Sequence, residues 1–290
     1  MPSQAALSLD GPFWRRLARW GSQGPEWFVR LSPPFVGVVA CGISAERRRH
    51  VLRSLRRVRG QRGALRDTMD VARVFATYAS CLAETLSAGS GGDRLPEAVI
   101  WGEPHLQEAL RDGRGVLLAT AHTAGWETVG PLLSRDKALR VMIVEKAERS
   151  AAAQAIQDHA RTAHGLLVAH VGDDPLSALP LARHLREGGA VALQIDRVPP
   201  GVRSRKVRMF GAPSRVPEGP LRLAMFTGTP VVPVFAARTG HRRYVIVVHA
   251  PIRLARTAGA AELDAAAQQL ADAMQSFLRT HPTQWFHFRE

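Results

Sequence analysis

The chain has 290 residues, 46% of them hydrophobic, which is enough to bury the core of one large domain. Its only cysteines, Cys41 and Cys81, argue against a disulfide framework and suit a reducing compartment. The formal net charge is +14, and the excess lies in residues 1–66, which hold 13 arginines against three acidic residues.

The N-terminal third is predicted to be helical and basic. Apolar spacing indicates a short amphipathic helix over residues 12–30, an arginine-dense helix over 46–59 and a longer helix over 65–87. A serine- and glycine-rich stretch then breaks the chain. We therefore assign residues 1–90 to a basic helical segment packed on the core and residues 91–290 to an α/β core, within one structural domain overall.

Aromatic and basic residues alternate near the N-terminus. Tryptophan rings settle at headgroup depth and arginine reaches lipid phosphates, so these residues predict contact with an anionic membrane surface: Trp14, Arg15, Arg16, Arg19 and Trp20. The alternative is an ordinary amphipathic helix with its arginines in solvent. Residues 31–45 contain two prolines and are too short to span a bilayer, but they could form a re-entrant or partly inserted helix. No signal peptide is evident. Peripheral binding, without a transmembrane helix, is the expectation.

Helices and strands alternate along the rest of the chain. Predicted helices cover residues 104–113, 126–133, 147–164, 175–187, 217–227 and 260–279. Predicted strands cover residues 115–120, 139–144, 166–170, 190–195, 230–235 and 244–249. This alternation, with strands that are continuous apolar runs, predicts an α/β fold with a mostly parallel central sheet flanked by helices.

His122 and Glu127 are the strongest candidates for catalysis. They follow the strand 115–120, and ligands of such sheets bind beyond the carboxyl ends of strands. A histidine held by a carboxylate can act as a general base, as acyl transfer from a thioester to a hydroxyl requires. The alternative is a structural histidine beside a helix-capping acid.

Two further groups lie on the same predicted side. Asp196 and Arg197 follow the strand 190–195. A basic cluster comes next and could bind phosphate or diphosphate, although a solvated basic loop is an equal alternative; its residues are Arg203, Arg205, Lys206 and Arg208, with Gly211 just beyond. The chain has no phosphate-binding loop, no G-x-S-x-G and no zinc-binding pattern, so we expect no metal and no bound cofactor.

Five blocks in order resemble the late acyltransferases of lipid A biosynthesis, within the lysophospholipid acyltransferase superfamily. Residues 121–127 (AHTAGWE) are similar to that family's H-x4-D/E block. The other four blocks are residues 195–197 (IDR), 210–214 (FGAPS), 223–234 (LAMFTGTPVVPV) and 281–288 (HPTQWFHF). The resemblance covers nearly the whole chain.

The resemblance implies an α/β acyltransferase fold and peripheral association with the cytoplasmic face of a bacterial inner membrane. It implies acyl transfer from acyl carrier protein or coenzyme A, with His122 as base, Glu127 as its partner and Asp196 as a further active-site acid. The chain departs from the family at Arg197, where glutamine is usual, and in the segment after Val144, so the acceptor surface is expected to differ.

We therefore expect an acyltransferase that moves a long-chain fatty-acyl group to a hydroxyl of a lipid or glycolipid. An O- or N-acyltransferase for a soluble biosynthetic intermediate is the alternative. The arginine excess also suggests nucleic-acid binding as an alternative. The arginines cluster with tryptophans, however, and away from any nucleic-acid-binding signature, so no nucleic-acid partner is expected.

Overall fold

The computed structural model describes residues 24–88, 96–137, 139–146, 166–171 and 175–288. The α-helices are α1 (Glu26–Ile43), α2 (Ala45–Arg59), α3 (Ala64–Ala88), α4 (Glu103–Leu110), α5 (Trp126–Lys137), α6 (Leu179–Arg186), α7 (Gly219–Thr227) and α8 (Ala260–Thr280). The strands are β1 (Glu97–Trp101), β2 (Val116–Thr120), β3 (Val141–Lys146), β4 (Leu167–Val171), β5 (Ala190–Gln194), β6 (Ser204–Met209), β7 (Ala212–Pro217), β8 (Val231–Gly240) and β9 (Arg243–Val248).

Seven strands form one sheet in the order β1-β9-β8-β2-β5-β3-β4. Strands β8, β2, β5, β3 and β4 pair in parallel, and β9 pairs antiparallel with β8. β1 is parallel to β9 at the edge. The predicted α/β fold with a mostly parallel sheet and a helical N-terminal segment is confirmed.

Side chains alternate between two buried faces of the sheet, because successive residues of a strand point in opposite directions. Leu117 and Ala119 of β2 belong to a core cluster that includes α8 and α7. Val116 and Leu118 belong to the cluster on the other face, which α4 and α5 cover. β2 is buried on both faces, which explains why it is apolar at every position but its last.

The first described helix differs from the prediction. The expected helix covers residues 12–30 and ends before Pro33. In the structure α1 begins at Glu26 and continues through Pro33 and Pro34 to Ile43. Residues 12–23 lie outside the described part. α1 packs against α3, with Gly37 so close to Phe75 and Ala76 that a Cβ there would meet their backbones. This packing offsets the hydrogen bonds that two prolines remove from a helix.

Two other elements were not predicted. β1 is a five-residue edge strand. β6 and β7 form an antiparallel hairpin, in a segment for which the sequence analysis offered a phosphate site or a solvated basic loop. The predicted helix over 147–164 lies outside the described residues.

Two helices of the described part bear on membrane insertion, α1 and α2. No single described helix is long and apolar enough to cross a bilayer. By length and composition α1 and α2 meet that requirement only as a pair, with a bend of 103° between them.

Candidate active site

The residues after β2 form a tight loop at the carboxyl end of the sheet. Gly125 has a φ of +82° and lies against the ring of Tyr244, where a Cβ would be 2.4 Å from a ring carbon. The C-terminal tail pairs with the same loop: Phe286 N–H donates to the His122 carbonyl at 2.7 Å, and Ala124 N–H donates to Gln284 O at 2.9 Å. Loop and tail therefore fix each other.

His122 and Asp196 form a hydrogen-bonded pair at this end of the sheet. His122 Nδ1 lies 2.8 Å from Asp196 Oδ1, and the His122 backbone N–H donates to the same oxygen at 3.2 Å. An ionised carboxylate can only accept, so Nδ1 carries a hydrogen, and in the neutral imidazole Nε2 is then the nitrogen without one. The His122 side chain is 22% exposed and that of Asp196 is wholly buried, so the imidazole reaches the surface and the carboxylate lies behind it.

Asp196 is held as an anion by its surroundings. Burial would raise the pKa of its carboxyl, but the charge and hydrogen bond of His122, the Arg197 guanidinium and the Trp285 indole together outweigh burial and bring that pKa well below its usual range. Trp285 Nε1–H donates to Asp196 Oδ2 at 3.1 Å. Each carboxylate oxygen thus has a donor, which fixes the orientation of the acid and of the imidazole that it holds.

A second histidine lies behind the pair. The His287 ring packs on Trp285 with a centroid separation of 4.8 Å, and its Nδ1 is 3.2 Å from Ser54 Oγ of α2. Burial lowers the pKa of His287 to about 4, so its imidazole is neutral at pH 7. Arg197 donates to Phe286 O at 2.6 Å, which ties the loop after β5 to the same tail.

A mostly apolar cleft opens beside His122, between α5 and the sheet. Trp126, whose ring lies 5.8 Å from that of His122, forms one wall. The remaining lining residues come from α5 and four parallel strands: Leu118, Thr120, Gly130, Ile143, Val144, Ala192, Gln194 and Val234. An apolar lining with a few polar groups is typical of sites for apolar ligands.

The predicted pair partner Glu127 is the second residue of α5, but its side chain lies outside the described part. The carboxylate that bonds to Nδ1 in this structure is Asp196, which the sequence analysis offered only as a further acid. The role of Glu127 stays a prediction.

The basic cluster lies on the β6–β7 hairpin. Arg205 pairs with Glu218 and Asp264, at 3.1 Å in each case, and Arg208 donates to the Gly211 carbonyl at 2.8 Å. Gly211 forms the tight turn of the hairpin, with a φ of +74°. Phosphate binding by Arg203, Arg205, Lys206 and Arg208 stays a prediction, and two of these guanidinium groups already have protein partners.

The predicted membrane-contact residues Trp14, Arg15, Arg16, Arg19 and Trp20 lie outside the described residues. Within the described part of the chain, no group of three histidine, cysteine or acidic side chains is placed to hold a metal ion.

Trp285, His287 and Ser54 join the site although sequence reasoning gave them no role. The tail was noticed only as a block of family resemblance. Its indole reaches an aspartate 89 positions earlier, a distance along the chain that no periodicity reports.

Comparisons with known proteins identify a family and several relatives. Residues 17–290 match the model of the family described as bacterial lipid A biosynthesis acyltransferase. Phosphatidylinositol mannoside acyltransferase of Mycobacterium tuberculosis is 28% identical over 194 residues, which cover 66% of this chain and 59% of that protein. The protein of the same name from Mycolicibacterium smegmatis is 26% identical over 183 residues, 62% of this chain and 58% of its own. The matched segment thus spans less than two thirds of these relatives.

Proposed function

The chain belongs to the bacterial lipid A biosynthesis acyltransferase family, and from that premise we propose that it transfers a long-chain fatty-acyl group from a thioester to a hydroxyl of a lipid or glycolipid. The single observation that carries the proposal is the buried Asp196 that holds His122 Nδ1 beside an apolar cleft. This is the arrangement of a general base next to a site for an acyl chain.

The chemistry follows from the unprotonated Nε2 of His122. Nε2 takes the proton of the acceptor hydroxyl while the hydroxyl oxygen attacks the thioester carbonyl carbon. The new C–O bond forms, the C–S bond breaks, and the departing thiolate receives the proton from Nε2. Asp196 stabilises the imidazolium between these steps, and no covalent acyl-enzyme is needed because the thioester is already activated.

Two carboxylates compete for the role of partner to His122. Asp196 has the contact in its favour, and Glu127 has the spacing of the family motif. His122→Ala should abolish transfer, and Glu127→Gln should slow it by about 10²–10⁴-fold if Glu127 acts with the base. Comparing Glu127→Gln with Asp196→Asn under one assay identifies the partner as the residue whose variant loses more in kcat.

The cleft between α5 and the sheet is the proposed site of the acyl chain. Trp126 and Gly130 are four residues apart on one face of α5, so Gly130 lies about 6 Å deeper than the mouth. A Cβ at Gly130 would lie 3.0 Å from Leu166 and 3.7 Å from Val141, two apolar residues that pack behind the lining of the cleft. A side chain there would have to displace these residues or move α5, and we expect either change to alter the space for the acyl chain.

Chain-length competition tests this assignment. With an equal mixture of C10 to C18 acyl-coenzyme A donors, Gly130→Ala and Gly130→Leu should shift the product toward shorter chains, which mass spectrometry measures. Gly219→Ala is the matched control, because a Cβ there meets nothing within 4 Å. An unchanged product distribution in both Gly130 variants would remove the cleft from acyl binding.

Acyl carrier protein or coenzyme A is the proposed donor, and a glycolipid is the proposed acceptor because the mycobacterial relatives are named for phosphatidylinositol mannoside. Parallel assays with palmitoyl-acyl carrier protein and palmitoyl-coenzyme A, each with phosphatidylinositol mannosides, distinguish the donors. Transfer to water-soluble alcohols or amines alone would instead favour a soluble acceptor.

We propose peripheral binding to the cytoplasmic face of the inner membrane through the outer surface of α1. Trp27 is 65% exposed and Phe35 70% exposed, and Leu31, Val39 and Ile43 are exposed with them. The adjoining α2 carries seven arginines in 15 residues. An apolar face flanked by arginine is typical of a helix that lies in an anionic membrane surface.

The helices next to α1 contact the C-terminal tail of the site. α2 contacts His287 through Ser54, and α3 packs on the same tail through Phe75 and Tyr78.

Vesicle sedimentation tests the membrane proposal. The chain should bind vesicles that contain phosphatidylglycerol more strongly than neutral ones, and more weakly as salt rises from about 0.1 M, where screening is moderate. Phe35→Ser and Ile43→Ser should weaken binding, and neutralising Arg15, Arg16 and Arg19 tests the predicted anchor. Phe226→Ser is the control, an exposed aromatic residue at the last turn of α7. Equal sedimentation of every variant would contradict the proposal.

A further inference from the structure

The proposed acyl transfer creates an oxyanion on the thioester carbonyl, and that charge needs a hydrogen-bond donor. Backbone N–H groups of a loop beside the base are the usual donors. In this chain the loop 122–126 has none to spare: its five N–H groups bond to Asp196 Oδ1, Ala121 O, Gln284 O, the Cys81 sulfur and Thr123 O, in order of residue. Since this described loop has no free backbone donor, a side chain beside it is the candidate.

One hydroxyl near His122 is without a partner. Thr120 is 8% exposed, and within the described part of the chain its Oγ1 is buried and makes no hydrogen bond. A buried hydroxyl left in this state costs about 1–3 kcal/mol, and such groups are rare enough to require an explanation. Thr120 and Gln194 both line the cleft beside α5.

Thr120 and Gln194 lie side by side at the ends of β2 and β5. Leu118 is opposite Ala192 and Thr120 is opposite Gln194. Two residues further along each chain segment, in the loops that follow these strands, His122 and Asp196 bond to each other. A thioester whose acyl chain occupied the cleft would therefore bring its carbonyl to the region between Thr120 and His122.

We propose that the Thr120 hydroxyl is the oxyanion donor of the transfer reaction, assisted by the neighbouring Gln194 amide. As the acceptor oxygen bonds to the carbonyl carbon, the electron pair of the C=O bond moves to oxygen, and Thr120 O–H donates to it. When the C–S bond breaks, the carbonyl re-forms, the thiolate takes the proton from His122 Nε2, and the hydroxyl is again without a partner. The role rests on the proposed function.

Removing a buried hydroxyl that has no partner should affect the melting temperature and kcat in different ways. Thr120→Val keeps the shape and removes the hydroxyl, so the melting temperature should stay equal or rise. The kcat for transfer from palmitoyl-coenzyme A to phosphatidylinositol mannosides should fall by about 10²-fold with little change in KM, because the bond forms only in the transition state. Thr120→Ser restores a hydroxyl and should recover kcat to within about tenfold of the wild type.

Thr229→Val is the matched control. Thr229 is also buried, but its hydroxyl donates to Arg114 O at the opposite end of the sheet. Its valine variant should lose stability and keep kcat, the reverse of the pattern at Thr120. If Thr120→Val does not fold, Thr120→Ala removes the same hydroxyl and carries the test.

The outcomes separate the two proposals. A wild-type chain that transfers no acyl group from coenzyme A or acyl carrier protein overturns the proposed function, and with it this role. An active wild type whose Thr120→Val or Thr120→Ala variant stays within threefold of its kcat, or whose Thr120→Ser variant is as poor as the valine variant, overturns the role of Thr120 alone.

Discussion

Asp196→Asn removes one charge from the centre of the site and keeps its shape. The asparagine side chain must face three donors: the His122 N–H, His122 Nδ1–H and Trp285 Nε1–H. If its oxygen turns to His122, its NH2 group confronts the indole N–H. If its oxygen turns to Trp285, the NH2 group donates to Nδ1, and the proton of the imidazole moves to Nε2, where it blocks the base.

The size of the effect follows from the distance between the charges. Unit charges about 4 Å apart at an effective dielectric constant of about 20 interact by about 4 kcal/mol. This stabilisation of the imidazolium is lost in the variant, and 4 kcal/mol corresponds to about 10³-fold in rate. The tautomer that blocks the base adds to the loss, so we expect kcat to fall by about 10³–10⁴-fold, as when the acid of a catalytic triad is neutralised.

The assay is thiol release from palmitoyl-coenzyme A in the presence of phosphatidylinositol mannosides, with product acylation confirmed by mass spectrometry. Asp112→Asn is the control, since this carboxylate is exposed and pairs with Arg253 away from the site. A folded Asp196→Asn variant with kcat within tenfold of the wild type would refute the assignment of Asp196 as partner of the base and would return that role to Glu127.

Four further variants or conditions test the surroundings of the site. Trp285→Phe removes one hydrogen bond to the Asp196 anion, worth about 1.5–3 kcal/mol, and should lower the free energy of unfolding by that order without abolishing transfer; unchanged stability by urea denaturation would contradict the contact. Burial lowers the pKa of His287 to about 4. Its neutral form therefore contributes stability that is present above the unfolded-state pKa of about 6.5 and is lost as the pH falls toward 4. His287→Gln should reduce this pH dependence of the free energy of unfolding, measured by denaturation at pH 7, 5.5 and 4.5. Burial, followed by the charge of Glu84, raises the pKa of Cys81 to about 12. The native protein should therefore react slowly with a thiol reagent at pH 8, and the unfolded protein should show two reactive thiols. Rapid reaction of Cys81 in the native state would count against its burial. Gly125→Ala places a Cβ 2.4 Å from the Tyr244 ring at a φ of +82°, and should lower the melting temperature together with kcat; calorimetry that finds no shift would show that the loop accommodates the methyl group.

The regular part of the fold could be predicted from the sequence because its signals are local. The strands β2 and β5 are apolar runs bounded by glycine or a polar residue, and their ends carry His122 and Asp196. The rule that parallel strands present their carboxyl ends to one edge then brings these two residues to the same edge. Knowledge of which carboxylate bonds to Nδ1 required coordinates, because both candidates satisfy that rule.

The elements that escaped prediction lack such local signals. β1 has five residues and finds its partner β9 more than 140 positions later. In β6 only Val207 and Met209 point inward, and this short alternation after Arg205 and Lys206 is too brief to identify a strand. α1 contains two prolines that local propensity reads as an end, and only its packing on α3 keeps it helical.

The catalytic arrangement depends on the pairing of β2 with β5 to the exact residue. Because side chains alternate with a period of two, a slip of one residue would turn Asp196 to the face of α8 and bring Ile195 toward His122. The register is held by apolar contacts on both faces, such as Leu117 and Val191 in the cluster that includes α8. Large-to-small variants in that cluster, although remote from the cleft, should therefore lower kcat as well as stability, because they loosen the pairing that brings acid and base together.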